Sequence, residues 1–402
     1  MKSLYAIGLL IIFILVSLIY LKKVSESKSS KNQLESVLRD LKNIKSKSEL
    51  DLKLEKIYIG SKSSVVLLES AAKVNDKAIK KDLVERALVK KSDEILDVIE
   101  ISYNKFDSES KFLLLEYLSI YGSPKSMQMF IDFLMIDHMN FVKLPIEKLN
   151  EHPRYADIVF PKLMELGLAE EKRYQVYDLV NTYLKNKLIF SDKVESLKEN
   201  VLMQYKNIAY DYERYNDRGR MYWRYDVPMY METRAKMLTL IELLGYMFEE
   251  EILIELRRAV KFNDPLVNAY SLIALVKLGE SIDDYVMTMD ELCEFPEVRK
   301  YLYFELERLN LKMKFPYEFR SQQYLAQSEV FNLFTLESKI YAEPMNIKFY
   351  SKIDISDKYS LYAFVCEIKY SREENVKTIL AYSGPFLNDE IETSGCGLTS
   401  IR

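Results

Sequence analysis

The residues best suited to recognition chemistry in this 402-residue sequence lie between Tyr205 and Arg234. Aromatic side chains bury large areas at a small entropic cost, and arginine donates hydrogen bonds in several directions, so protein interfaces use both types. The aromatic residues of the segment are Tyr205, Tyr210, Tyr212, Tyr215, Tyr222, Trp223, Tyr225 and Tyr230, and its arginines are Arg214, Arg218, Arg220, Arg224 and Arg234. This composition predicts a surface that binds a partner.

The charge balance of this segment favours a protein partner over a nucleic acid. Lys206 and the five arginines supply six positive charges, and the five negative charges come from Asp211, Glu213, Asp217, Asp226 and Glu232. A net charge of about +1 would release few counterions from a phosphate backbone. The partner-binding residues that we predict are Arg214, Arg218, Arg220, Tyr222, Trp223, Arg224 and Tyr225. Two alternatives stay open: a long loop whose aromatics pack against the helical body, and an enzyme or binding module that stacks a nucleotide, glycan or nucleic acid.

The residue types that usually carry catalysis form no known pattern in this sequence. His138 and His152 are the two histidines, and they lack the spacing of metal ligands on a helix. Cys293, Cys366 and Cys396 are too widely separated to indicate a zinc site or a disulfide framework. The sequence also lacks a glycine-rich phosphate loop and a nucleophile elbow. We therefore predict that the protein is not an enzyme and that it uses no metal and no cofactor.

The stretch from Asp264 to Gly279 predicts the helical element on which the rest of the chain is patterned. Asp264 can cap the helix, and Pro265 occupies a first-turn position where a missing N–H costs nothing. The apolar positions recur every three or four residues, as expected for one buried stripe; they are Leu266, Val267, Tyr270, Ile273, Ala274 and Leu278. Gly279 then permits a left-handed conformation at the helix end.

Copies of this stretch predict a repeat architecture. Pro296, Val298, Tyr301 and Leu306 repeat Pro265, Val267, Tyr270 and Leu275 after 31 residues. The segment 71–76 likewise resembles 259–264, and 241–245 resembles 275–279. Periods of this length built from helix pairs are typical of an α-solenoid, because each pair buries its apolar face only against its neighbours. An irregular helical bundle is the alternative.

The pattern of Asp-Pro, then valine two residues later, then leucines and Leu-Gly, resembles HEAT repeats. The resemblance extends over about residues 60–310 and is clearest in the last third. An arginine often follows the valine in this family; Arg299 keeps it, but Asn268 stands at the matching position. The resemblance implies an extended protein-binding surface, although some HEAT-like proteins act on nucleic acid.

The amino-terminal sequence predicts a membrane anchor. Leu4 to Leu21 contain 18 residues without a charge, with Tyr5 and Tyr20 near the two ends. At about 1.5 Å per residue, such a helix covers most of a hydrocarbon core of roughly 30 Å. We predict an uncleaved span rather than a cleaved signal peptide. Lysines that follow it, beginning at Lys22, place the body in the cytoplasm by the positive-inside rule, with an extracytoplasmic body as the alternative.

The carboxyl-terminal sequence changes character after Leu311. A helix over 321–334 and strands over 346–355, 359–370 and 376–384 predict a small α+β cap. This arrangement is similar to the tail domain of some membrane-anchored bacterial HEAT-repeat proteins, and the likeness rests on Ser383 to Phe386. Residues from Asn388 onward are predicted to be disordered.

Together these patterns predict a mainly α protein: a HEAT-like α-solenoid after an N-terminal transmembrane helix, with a small α+β C-terminal cap. The predicted domains are an anchor (1–24), a juxtamembrane helical linker (25–56), helical repeats (57–311) and the cap with its tail (312–402). The net charge of −4 describes an ordinary solvated surface and does not favour a general polyanion binder. The predicted function is a membrane-tethered scaffold or adaptor whose repeats bind a protein partner.

Overall fold

The computed structural model describes residues 61–169, 172–216, 228–337, 342–370, 375–387 and 396–399. It is mainly helical (69%), with a small antiparallel sheet at its carboxyl-terminal end. The coarse prediction of a mainly α chain followed by a small sheet is therefore confirmed.

The helices are α1 (Ser61–Ala71), α2 (Lys77–Ala87), α3 (Asp93–Ser102), α4 (Ser108–Tyr121), α5 (Pro124–Asp137), α6 (Ala156–Leu168), α7 (Arg173–Lys185), α8 (Lys198–Asn216), α9 (Pro228–Leu244), α10 (Glu250–Ala259), α11 (Pro265–Lys277), α12 (Val286–Cys293), α13 (Pro296–Arg308) and α14 (Gln322–Asn332). The strands are β1 (Ala342–Asp354), β2 (Tyr359–Tyr370), β3 (Val376–Leu387) and β4 (Cys396–Thr399). The chain divides into two compact units, the first ending at Leu166 and the second beginning at Gly167. The predicted domain boundaries at 57–311 and 312–402 stay a prediction.

The first unit is built from short helices that pack against neighbours in the chain. Helix α1 packs on α2 and α3, α2 packs on α4, and α4 packs on α5. Helices α1 and α2 form one packed pair of consecutive helices, and α4 and α5 form another. Each pair buries an apolar stripe, which supplies more stability than helix propensity alone.

Local capping explains where helices of the first unit begin. Asp76 accepts a hydrogen bond from the Ile79 N–H at 2.9 Å, which satisfies one free donor at the start of α2. Between α4 and α5, Gly122 adopts a left-handed conformation with φ 71°. Ser123 and Ser126 then exchange side-chain to backbone hydrogen bonds in a capping box. Gly122 and Ser123 therefore form the turn between α4 and α5.

The second unit contains a row of helices that lie side by side. Helices α7, α9, α11, α13 and α14 contact one another in that order. Helices α8, α10 and α12 each pack against the helix that follows in the chain, namely α9, α11 and α13. From α7 to α13, every second helix therefore lies in the row, and α14 follows α13 directly.

The boundaries of α11 follow the predicted local chemistry. Asp264 accepts hydrogen bonds from the N–H groups of Leu266 (3.0 Å) and Val267 (3.2 Å). Gly279, with φ 102°, ends the helix as predicted. Gly245, after α9, has a different role, because a Cβ there would lie 3.0 Å from Ala274 Cα of α11. Glycine at this position therefore permits the close approach of α9 and α11.

The sheet has the order β1-β2-β3-β4, and all its neighbours are antiparallel. One face packs on α14 through a fully apolar cluster; its buried members are Ala326, Val330, Phe334, Ile347, Phe364, Cys366, Ile368, Ala381 and Phe386. Because α14 also packs against α13, the sheet continues the helical row. The predicted helix and three strands are confirmed. The predicted disorder is wrong for Cys396–Thr399, which pair with β3, and the rest of that tail lies outside the described residues.

The predicted membrane localisation requires correction. Within the part of the chain that the structure describes, no helix combines the length and apolar character needed to cross a membrane. Even α8, with 19 residues, begins with Lys198 and Glu199 and carries Arg214 near its end. The predicted span at residues 4–21 and the linker at 25–56 lie outside the described residues. Membrane localisation, on either face, is therefore not retained.

Candidate functional site

The predicted partner-binding residues lie almost entirely outside the described chain. Arg214 belongs to α8, whereas Arg218, Arg220, Tyr222, Trp223, Arg224 and Tyr225 fall in the segment 217–227 that the structure does not describe. The two flanks of this segment are helical rather than loop, since α8 continues to Asn216 and α9 begins at Pro228. The structure therefore locates the ends of the segment.

The aromatic residues that flank this segment pack into the helical body. Tyr205 and Tyr212 are buried in α8, and Tyr230 is half-buried in α9. The Tyr212 and Tyr230 rings stack with their centroids 5.6 Å apart. Among the flanking aromatics whose side chains the structure describes, Tyr205, Tyr212 and Tyr230 pack into the helices, whereas Tyr210, with 63% exposure, faces solvent.

A buried ion network lies where α8, α9 and α11 meet. Arg234 donates from Nε and Nη2 to the two carboxylate oxygens of Asp264, each at 2.8 Å. Its Nη1 donates to Glu297 Oε1 of α13 at 2.6 Å. The hydroxyls of Tyr212 and Tyr230 also donate to Asp264 Oδ2. Asp264 thus caps α11 and bonds to α8 and α9, and Arg234 extends the network to α13 through charge-assisted hydrogen bonds.

The electrostatics of this network favour a structural role. Burial opposes ionisation of Asp264, but the Arg234 guanidinium and the hydrogen bonds from Tyr212 hold its pKa below the ordinary value. Burial, with the neighbouring Asp264 charge, raises the pKa values of Tyr212 and Tyr230. The tyrosines therefore stay protonated donors, and the arginine stays committed to two carboxylates. Such a network fixes the geometry of the helix ends from which the segment 217–227 emerges.

A second cluster, which we name the tyrosine face, is accessible to partners. It consists of Tyr246 after α9, Tyr270 on α11 and Tyr301 on α13, all partly exposed. The Tyr270 and Tyr301 rings stack with centroids 3.8 Å apart and planes within 6°. Within the described residues, no protein group hydrogen-bonds to any of these three hydroxyls. Each hydroxyl is therefore free to bond a partner.

Charged side chains of both signs surround the tyrosine face. Lys277 Nζ lies 4.7 Å from the centroid of the Tyr246 ring and 3.1 Å from Glu305 Oε2. Lys185 of α7 pairs with Glu242 of α9. Burial, together with the Glu242 and Glu305 charges, raises the pKa values of the three face tyrosines. The hydroxyls stay protonated, so this surface offers hydrogen bonds and aromatic area.

The two histidines contact main-chain carbonyl oxygens, and the two cysteines whose side chains the structure describes are buried. His152 Nε2 lies 2.9 Å from the Ile120 carbonyl oxygen, and its ring packs against Gly122. His138 Nδ1 contacts the Met135 carbonyl oxygen at 2.9 Å, while Asp137 beside it pairs with Lys111. Burial raises the pKa values of the Cys293 and Cys366 thiols to about 12, so both stay protonated at neutral pH. Across the described residues, no His, Cys, Asp and Glu side chains form a group that could hold a metal.

Comparison of the chain with protein-family models, with curated proteins and with solved structures finds no match. Function must therefore be argued from the geometry. Sequence reasoning identified Asp264 only as a cap, and it assigned Tyr270 to an apolar stripe. The 31-residue repetition of tyrosine at 270 and 301 was the pattern that could have revealed the stacked pair, since equivalent positions of adjacent repeats lie side by side.

Proposed function

We propose that the helices between residues 57 and 311 are HEAT-like repeats of an α-solenoid and that the protein is a scaffold for a protein partner. The side-by-side row of α7, α9, α11 and α13 supports this proposal, because within the row the extensive contacts are those between adjacent helices. The matched first-turn prolines, Pro265 and Pro296, and the stacked Tyr270 and Tyr301 support a common repeat register. Rows of this kind offer extended surfaces to partners.

The observation that carries the binding function is the tyrosine face. Three half-buried tyrosines with unpartnered hydroxyls lie on or next to three successive helices of one row. Tyrosine combines large apolar area with a polar tip and is enriched among residues that dominate binding energy. The flanking Lys277 and Glu305 already pair with each other, so a partner gains aromatic contacts without the cost of leaving a buried charge unpaired.

A site-specific photocrosslinking experiment tests this function. A photoreactive phenylalanine replaces Tyr301 in the full chain, and a matched chain carries it at Tyr317, which is 82% exposed but lies outside the face. We expect one discrete crosslinked protein from Tyr301 and a diffuse or absent product from Tyr317. The double variant Tyr270→Phe/Tyr301→Phe, with the photoreactive residue at Tyr246 instead, keeps both rings, removes both hydroxyls, and should weaken capture of that protein by about tenfold relative to the same probe in the otherwise unchanged chain.

Two results separate a wrong site from a wrong function. If the Phe variant captures the same protein with the same yield, the tyrosine face is not the binding surface. If neither position yields a discrete product under native conditions, the scaffold proposal fails. The residues predicted from sequence stay a prediction, and Arg220→Ala with Trp223→Ala in the same assay tests them independently of the face.

A further inference from the structure

Arg299 on α13 shows what the repeat arginine does in this fold. It is 5% exposed and donates to the carbonyl oxygens of Cys293 at 2.5 Å and Glu294 at 3.0 Å, at the end of the preceding helix α12. Its Nη1 also donates to Gln327 Oε1 at 2.7 Å. The guanidinium lies 4.7 Å from the centroid of the Phe319 ring. One side chain thus joins a helix end to the next layer through carbonyl, amide and aromatic contacts.

Asn268 occupies the matching position on α11. The register is secured by the prolines that begin both helices and by the fully buried pair Val267 and Val298. Asn268 is far shorter than arginine, and its buried Oδ1 has no hydrogen-bond partner among the described residues. The contacts that Arg299 makes in one repeat are therefore missing in the repeat before it.

A cleft of about 550 Å³ lies at the place that a repeat arginine would fill. Its walls are the loop 260–263 after α10, Asn268, and the side chains of Tyr285, Glu291 and Phe295 from the next layer. These walls match the surroundings of Arg299 by type: the end of the preceding helix, a hydrogen-bond acceptor and aromatic rings. The volume is within the range of cavities that hold small ligands.

The charges around the cleft favour a cation. Asp284 and Glu291 line it and are exposed acids, and Lys261 is the basic residue on its rim. Arg257 also lines it, but this guanidinium pairs with Glu280 at 2.7 Å. Asp264, at the base, is committed to Arg234. Two acids against Lys261 leave a net negative charge of about −1 among the lining groups outside the Arg257–Glu280 and Arg234–Asp264 pairs.

We propose that this cleft binds a guanidinium group, presented as an arginine side chain by a protein partner. The partner's guanidinium occupies the place that Arg299 fills in the next repeat and donates to Glu291. Tyr285 and Phe295 flank its planar group as Phe319 flanks Arg299. The cleft shares no residue with the tyrosine face. A negative result at the cleft therefore leaves the proposed scaffold function standing, and a negative result at the tyrosine face leaves the guanidinium site standing.

Binding of capped amino acids to the purified full chain tests the proposal. The probe is N-acetyl-arginine methylamide, and N-acetyl-citrulline methylamide is the control with the same shape and no charge. Methyl NMR spectra report binding through Leu292, which lines the cleft. We expect the arginine probe to bind at least about tenfold more tightly than the citrulline probe. Equal affinities, or no shift of Leu292 at saturating probe, would overturn the proposal.

Two substitutions decide whether the cleft is the site. Asn268→Arg should fill the cleft with the protein's own guanidinium and weaken probe binding by at least about tenfold. Asn104→Arg adds the same charge at an exposed position of the first unit and should leave binding unchanged. Glu291→Gln keeps the side-chain shape and should weaken probe binding severalfold. It tests the site independently if Asn268→Arg does not fold. Unchanged binding in Asn268→Arg and Glu291→Gln would refute the site, and tighter binding of free L-arginine than of the capped probe would refute a protein source.

Discussion

The starts of α11 and α13 share a backbone design but distribute charge in opposite ways. Both helices begin with proline, and each bears a tyrosine at the same distance along the helix. At α11 a buried acid, Asp264, caps the helix and receives Arg234 from α9. At α13 the capping position is Phe295, and a buried base, Arg299, instead donates to carbonyls of the preceding helix end.

This difference shows that the two helix starts satisfy nearby buried main-chain groups with different residues. Each junction between successive helix pairs leaves main-chain groups that must be satisfied because they are buried. At α11 the acid serves the N–H groups of its own helix, and at α13 the base serves carbonyls of the helix before. The junction with the acid has no arginine at position 268, and the cleft lies there.

The largest effect is expected from removing the acid. Asp264→Ala deletes the α11 cap and leaves Arg234 buried with only Glu297 as its charged partner in the network. Breaking a buried ion pair from one side costs about 3–5 kcal/mol, so we expect α11 to lose about that much local stability. Because the chain has two compact units, a single unfolding free energy is not defined for it. Hydrogen exchange of the α11 amides measures the loss directly.

The variants Asp264→Asn and Arg234→Met separate the stability that comes from capping α11 from the stability that comes from the Arg234–Asp264 ion pair. Asparagine still caps a helix, so Asp264→Asn should lose less than the alanine variant. Combining it with Arg234→Met removes both charges, and we expect the double variant to be more stable than the sum of the single changes predicts. Additive losses would show that Arg234 and Asp264 do not act as a pair.

A smaller effect is expected from the base of the second junction. Arg299→Ala removes three hydrogen bonds and the stacking on Phe319, and should reduce protection of the α13 amides by about 2–4 kcal/mol. Asn268→Ala, the matched change on α11, removes a side chain without a partner and should cost less than about 1 kcal/mol. Hydrogen exchange of both helices measures the two variants side by side. Equal losses would contradict the view that the two junctions use these positions differently.

Local features of this fold were predictable because they are encoded within one helix turn. The Asp264 cap, the first-turn prolines and Gly279 each follow from chemistry between residues a few positions apart. The β-strands were predicted from alternating Tyr, Phe, Ile and Val for the same reason. The short strand Cys396–Thr399 was missed because its Gly-Leu-Thr sequence has no alternation, and only pairing with β3 defines it.

The candidate sites depend on distances that the sequence does not display. Arg234 lies within the arginine-rich segment and was grouped with a surface, yet its partners Asp264 and Glu297 are 30 and 63 positions away. The sequence shows asparagine at position 268, where an arginine is expected from the pattern. It does not show whether Tyr285, Glu291 and Phe295 of the next layer fill the space that the shorter side chain leaves. Predicting the tyrosine face would have required the relative register of α9, α11 and α13, which the composition of one helix does not reveal.

The smallest expected effect is a difference in pH dependence between the wild type and Asp264→Asn. The folded pKa of Asp264 lies below its ordinary value of 3.8, so the unfolded chain takes up this proton first as the pH falls. The stability contributed by Asp264 is therefore fully present well above pH 3.8 and decreases below it, by at most about 1.4 kcal/mol per pH unit. Other carboxylates titrate in both proteins and cancel in the difference. We expect the difference in protection of the α11 amides between the two proteins, measured by hydrogen exchange, to be largest near pH 7 and to narrow as the pH falls below 3.8. A difference that stays constant as the pH falls would mean that Asp264 is not ionised in the folded protein.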